Sequence, residues 1–205
     1  MNVRLPVDRF KSVLTSLNGD GGYGLTLLGI AVLFVLPELF GDAARDGLRY
    51  DRTALADGQW WRLVTAHLVH LDLEHALLNL LGLVMMWALF ARDYRPVQWL
   101  PIVIAILLSI DAGLWFRDTD LHWYVGASGA LHGFMAAGTL AHVRRGDLDG
   151  WILAIFIVVK LGYEQWHGAL PFSDSSAPVV VNAHLYGALG GVLAAAGLKP
   201  RTDSL

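Results

Sequence analysis

The stretch Gly126-Ala127-Ser128-Gly129-Ala130-Leu131-His132-Gly133, continued by FMAAGTLAHV to Val143, is apolar, rich in small residues, and opens on a hydroxyl. It reads as a membrane helix, because Gly129 and Gly133, four apart, let a second backbone come close. Its partner lies further along the chain. Val181–Leu198 is also apolar, carries His184 about one turn in, and repeats the glycine spacing at Gly187 and Gly191. At 1.5 Å rise per residue the hydroxyl and the imidazole reach similar depths if both helices enter from one side.

Working outward, four more apolar segments precede or separate these two. The six candidate spans are Gly24–Phe40, Leu73–Phe90, Val97–Phe116, Ser128–Val143, Trp151–His167 and Val181–Leu198. Several are shorter than the ~20 residues a bilayer core requires, which favours local thinning or helices that begin below the surface. The composition agrees: 55% of the 205 residues are hydrophobic and only 16% charged, against roughly 25% in an average soluble domain. The expected fold is therefore an all-α, polytopic six-helix bundle over residues 24–198, with an N-terminal segment, residues 1–23, and a tail, residues 199–205. The first apolar run is read as a span rather than a cleavable leader, since it lacks a small-residue cleavage site. There is no cysteine, which excludes disulfides and thiolate chemistry. A net charge of −3 with no basic patch argues against nucleic acid as a partner.

Lysine and arginine set the orientation. Arg4, Arg9, Lys11, Arg92, Arg95, Arg144, Arg145, Lys199 and Arg201 make nine of the fifteen basic residues, and in a six-span chain all fall on one side. The other side carries Arg45, Arg49, Arg52, Arg62 and Arg117 among many aspartates. The positive-inside rule then places both termini in the cytoplasm. The connection from Gly41 to Asp72 is external and too long for a simple turn, so it is expected to carry structure of its own. Within it, Trp61 suits the membrane interface, and Arg62 suits phosphate or backbone.

The chemistry follows from these placements. A serine hydroxyl becomes nucleophilic when a base takes its proton, and histidine is the usual base near neutral pH. The N-terminus of the helix opening at Ser128 offers unsatisfied N–H groups to an oxyanion. His75 and Asn79, at i and i+4 of the second span, share a face and supply further donors. Each element alone has a packing explanation. Together, at the outer ends of their spans, they point to acyl transfer by Ser128 as nucleophile and His184 as base, with Ser128, His75 and Asn79 as the oxyanion donors.

These residues resemble the rhomboid intramembrane serine proteases over Trp61–Gly197. Trp61-Arg62, His70, His75-x-x-x-Asn79, Gly126-x-Ser128-Gly129 and Ala183-His184-x-x-Gly187-x-x-x-Gly191 stand in the order and spacing of that family. The resemblance implies a serine–histidine dyad with no third acid, and a substrate that is a transmembrane or C-terminally anchored protein, entering between the second and fifth helices. Where a tyrosine often stacks on the base, this chain has His132. Its Leu131-His132-Gly133 is similar to the rhombosortase subgroup, which implies cleavage within a Gly-Gly-containing C-terminal tail of exported proteins. His132, with Gly126 and Gly129, is then expected behind the reacting pair. The implied location is a bacterial inner (plasma) membrane, multi-pass. An accessory protein stays open as a further partner besides the lipid bilayer.

Asp111, Lys160 and Glu164 are the remaining polar oddities within spans. Lys160 and Glu164, at i and i+4, are expected to neutralise each other, or Lys160 to bridge to Asp111. No cofactor is expected. A metal site at His70, Asp72, Glu74 and His75 is disfavoured because the acids suit a helix N-terminus. Two other functions compete. An inactive rhomboid-like binder of membrane clients would ordinarily lack the serine or histidine kept here. A small transporter using Asp111, Lys160 and Glu164 would ordinarily show internal repeats, and none is found.

Overall fold

A computed structural model describes Asn18, residues 21–169 and residues 179–201. Arg4, Arg9 and Lys11 lie outside the described residues. The chain is mostly helical, in agreement with the expected class. The long helices are α1 (Gly21–Val35), α5 (Leu73–Phe90), α6 (Pro96–Phe116), α7 (Ser128–Arg145), α8 (Leu148–His167) and α9 (Val181–Ala196). The connection after α1 carries three short helices, α2 (Gly41–Leu48), α3 (Arg52–Ala56) and α4 (Arg62–Thr65).

Three stretches among the described residues are long and apolar enough to cross a membrane: Gly21–Leu48, Leu73–Phe90 and Pro96–Phe116. The other expected spans are helices too. They fall below that standard because α7 ends in His142, Arg144 and Arg145, α8 contains Asp149, Lys160 and Glu164, and α9 has only 16 residues. The first apolar segment also departs from a single helix. It tightens into a 3-10 turn over Leu36–Phe40, because Pro37 has no N–H to donate and its ring crowds the preceding turn.

Local signals in the sequence explain the helix ends near the site. The Asp72 carboxylate accepts from the His75 N–H at 2.8 Å and starts α5, a side-chain cap that satisfies one orphan donor. α7 stops at Gly146, whose φ of 84° is left-handed, the conformation that closes a helix without a Cβ penalty.

The centre of the molecule is α6, α7 and α9. α6 presents Ile102, Ile106, Ile110 and Leu114, four apart and fully buried. α7 and α9 meet along their glycine rows: a Cβ on Gly133 would lie 2.6 Å from the Gly187 carbonyl, and one on Gly187 or Gly191 would collide with the carbonyls of Gly129 and Gly133. The outside is apolar, with Leu25, Ile155 and Val158 all more than 60% exposed, a surface that fits lipid rather than water. Lipid is as apolar as these side chains, so burying them gains little by transfer. Close backbone approach and dispersion then hold the helices together.

One feature is absent from the all-helical expectation. Tyr50–Asp51 (β1) pairs antiparallel with Trp123–Tyr124 (β2), tying the long connection to the loop before Ser128.

Candidate active site

Ser128 begins α7 because of what precedes it. Gly126 has a φ of 117°, and a Cβ there would lie 2.9 Å from the His75 ring, so only glycine fits without strain. The loop is pinned twice. The Gly126 N–H donates to the Ala66 carbonyl at 2.9 Å, and the Tyr124 hydroxyl donates to the Gly126 carbonyl at 2.7 Å. Ser128 is thus held at a helix N-terminus whose backbone geometry is set from the β1–β2 side.

His184 comes to it from α9. The Ser128 Oγ and His184 Nε2 atoms are 2.9 Å apart, across 56 residues of sequence. The glycine rows make this approach possible, since Gly129 lies against the Ala183 carbonyl and Gly187 against Gly129. His184 is buried, at 4% exposure. His132, one turn into α7, stacks on it with ring centroids 4.1 Å apart and planes 15° from parallel. The His132 Nδ1–H donates to the Ser128 carbonyl at 2.7 Å, which assigns the proton of the neutral ring to that nitrogen.

The far side of the His184 ring holds a group that the resemblance does not imply. The Glu164 Oε2 atom is 3.0 Å from His184 Nδ1. Its other oxygen, Oε1, accepts from Lys160 Nζ at 2.6 Å. The expected Lys160–Glu164 pair is therefore present, but it is not self-contained, and an acid stands where a dyad has none. Spacing revealed the i, i+4 pair. Nothing in the sequence says which neighbouring helix the second oxygen meets. Asp111 does not bridge to Lys160; it lies 3.5 Å from His67 instead.

The two expected donors on α5 are near but differently engaged. The His75 Nδ1 faces the Leu71 N–H at 3.4 Å, which leaves the ring proton on Nε2, on the edge packed against Gly126. Asn79 is buried and donates one amide hydrogen to the His75 carbonyl at 3.0 Å; its second hydrogen is uncommitted by that bond. A cavity of about 520 Å³ opens over Ser128, with His75, Tyr124, Asp118, Val180 and Asn182 among its walls.

Arg62 and Trp61 serve the scaffold. Arg62 is buried and donates to the carbonyls of Asp46 and Arg49 at 2.9 and 2.8 Å and to the Gln59 side-chain oxygen at 2.8 Å. Trp61 is half exposed, its indole N–H donating to the Gly47 carbonyl at 3.3 Å. Arg52, counted in the sequence only as a basic residue of the external side, caps the end of α6 through the Leu114 and Trp115 carbonyls.

Among the described residues, two sets of potential metal-ligating atoms lie within 4.8 Å of one another: His132, Glu164 and His184, and His142, Asp147 and Asp149. In the first, both Glu164 oxygens are engaged and a cation would sit beside the Lys160 ammonium. In the second, Arg145 already holds Asp147 at 2.9 Å, and Asp149 faces His142 at 2.7 Å. At the sequence-expected acids, Asp72 caps α5.

The sequence profile of the rhomboid domain matches residues 57–201. The chain is 26% identical over 162 residues to YdcA of Bacillus subtilis (strain 168), provisionally named a rhomboid protease, covering 79% of each chain. It is 26% identical over 154 residues to the rhomboid protease GluP of the same organism, covering 72% of this chain but 28% of GluP. It is 30% identical over 188 residues to the uncharacterized protein Rv1337 of Mycobacterium tuberculosis (strain ATCC 25618 / H37Rv), covering 84% of this chain and 73% of that one. With 145 consecutive positions matched to one domain profile, the chain belongs to the rhomboid family.

Proposed function

We propose that the protein is an intramembrane serine endopeptidase in which Ser128 is the nucleophile and His184 the general base. The observation that carries this reading is the 2.9 Å separation of Ser128 Oγ and His184 Nε2, inside hydrogen-bonding range for proton transfer. His184 Nε2 takes the hydroxyl proton as Oγ bonds to the substrate carbonyl carbon. The C–N bond then breaks, and the same proton leaves with the amine. Water, deprotonated by His184, attacks the acyl-serine carbonyl; the C–Oγ bond breaks, His184 returns the proton to Oγ, and the product leaves as a carboxylic acid. The oxyanion of each tetrahedral intermediate rests on the Ser128 N–H, His75 Nε2–H and the second Asn79 N–H. His132 packs behind the base, and Gly126 and Gly129 shape the backbone at the nucleophile.

The substrate is a membrane-anchored protein whose segment enters between α5 and α8. Each of those helices packs chiefly on α7 rather than on the other, which supports that route. The Leu131-His132-Gly133 ending supports the rhombosortase subgroup, and with it a Gly-Gly-containing tail on exported proteins. Glycine destabilises a helix by about 1 kcal/mol relative to alanine, so such a tail unwinds readily into the cavity. The bias of basic residues supports a bacterial plasma-membrane location with both termini cytoplasmic. An inactive client-binding role has no use for a base held against a hydroxyl.

The test is serine labelling by a fluorophosphonate together with mass spectrometry of exported proteins. Wild type labels, and Ser128→Ala and His184→Ala do not. New C-termini near glycine pairs appear with wild type and vanish with Ser128→Ala. Asn79→Ala slows turnover by roughly 10²-fold through loss of one oxyanion donor. Processing that persists in Ser128→Ala would sink the assignment.

A further inference from the structure

We infer that Glu164 is a positioning residue for His184, completing a Ser128–His184–Glu164 triad in which Lys160 holds the carboxylate ready; this rests on the protease reading above. The geometry is a single line of contacts across three helices. Ser128 Oγ lies 2.9 Å from one nitrogen of His184, and Glu164 Oε2 lies 3.0 Å from the other. A carboxylate can only accept, so Glu164 fixes the imidazole proton on Nδ1. That leaves the Nε2 lone pair facing the serine, the tautomer able to take its proton. Without the carboxylate the neutral ring is free to carry its proton on Nε2, where it blocks the reaction.

Charge makes a second contribution. The groups facing His184 are Ser128 and His132 from α7, Lys160 and Glu164 from α8, and His75 from α5. Among them only Glu164 is an anion. When His184 accepts the serine proton, a cation forms in a buried place, and among the described residues only Glu164 lies in contact to offset it. His132 cannot, because protonating it would add a like charge at stacking distance.

Lys160 explains how a carboxylate stays ionised there. The Glu164 side chain is 0% exposed, and Lys160 is 16% exposed with Nζ 2.6 Å from Oε1. An isolated carboxyl in such surroundings takes up a proton instead of paying desolvation. A pair serving only to neutralise itself would need one oxygen and would leave the other without purpose. Here the other is directed at a histidine on a different helix, 20 residues away in sequence.

The experiment uses the full chain in detergent or liposomes, following fluorophosphonate acylation and hydrolysis of a fluorogenic transmembrane peptide. Glu164→Gln lowers kcat by roughly 10²–10⁴-fold with KM within about threefold of wild type, as when a triad acid loses its charge. In the residual activity, the pH of half-maximal kcat/KM on the acid side falls by about one unit, because the imidazolium has lost its counter-charge. Glu164→Asp recovers at least about tenfold over Glu164→Gln, the carboxylate being restored at shorter reach. Because Glu164→Gln leaves a lysine unpaired, the double variant Lys160→Met with Glu164→Gln regains thermal stability but not rate. Wild-type kcat in Glu164→Gln, or in the double variant, would show that the acid only neutralises the lysine and would overturn the inference alone. Failure of the wild type itself to acylate at Ser128 would overturn the protease reading and this inference with it.

Discussion

At the scale of single residues, buried polar groups near the site carry measurable signatures. His70, in the connection before α5, is fully buried, 5.3 Å from Phe34 and edge-on to His75 at 5.2 Å between centroids. Burial, reinforced by the neighbouring His75, pushes its imidazole down to about 3. An unfolded histidine titrates near 6.5. Between those values the unfolded chain binds a proton that the folded one refuses, so stability falls as pH drops below about 6.5 and is unaffected above it. From pH 7.5 to pH 5 this amounts to about 2 kcal/mol. His70→Asn should therefore lose less thermal stability over that range than wild type, measured by melting in detergent. Equal losses in the two proteins would refute the account.

Among the elements, the contact of α7 with α9 decides whether a site exists. Both glycine rows bring backbone to backbone, and Gly190 adds a third contact, against the Ala105 carbonyl of α6 at 2.7 Å for an added Cβ. Gly191 faces the Gly133 carbonyl directly. The obstacle there is main chain, which cannot rotate aside as a side chain would. Gly191→Leu should cost roughly 3 kcal/mol, the upper part of the range for overpacking. It should also reduce serine labelling by prising His184 from Ser128, although it lies about two turns from the histidine. A variant with unchanged melting temperature and unchanged labelling would show that the helices have room to spare.

For the whole molecule, the two ends of α7 differ in chemistry. Ser128 is at one end, about 26 Å from Arg145 at 1.5 Å per residue. At the far end Asp93 holds Arg145 at 2.9 Å and His142 at 3.1 Å, and Arg144 donates to the Leu198 carbonyl at 2.6 Å. This basic end is the one proposed to face the cytoplasm, which sets the serine toward the outer leaflet. The cysteine-free chain permits a clean check. In intact spheroplasts, Asp57→Cys should react with a membrane-impermeant maleimide and Pro200→Cys only after lysis. The reverse pattern would invert the proposed topology.

The apolar segments and their glycine spacing were legible in the sequence, because they depend on local composition and helical period. So was the pairing of Ser128 with His184, since matching depth and two small-residue rows left few other ways to pack. The tertiary structure alone decided the rest. A two-residue ladder such as Tyr50–Asp51 with Trp123–Tyr124 is too short to leave a pattern. Arg62 and Arg52 bind carbonyls that only folding brings near. Glu164 has a sufficient partner four residues away in Lys160, so its spacing concealed that a second lone pair meets His184. Period places a side chain on a face of its own helix, whereas the neighbour it meets depends on how that helix is rotated and packed.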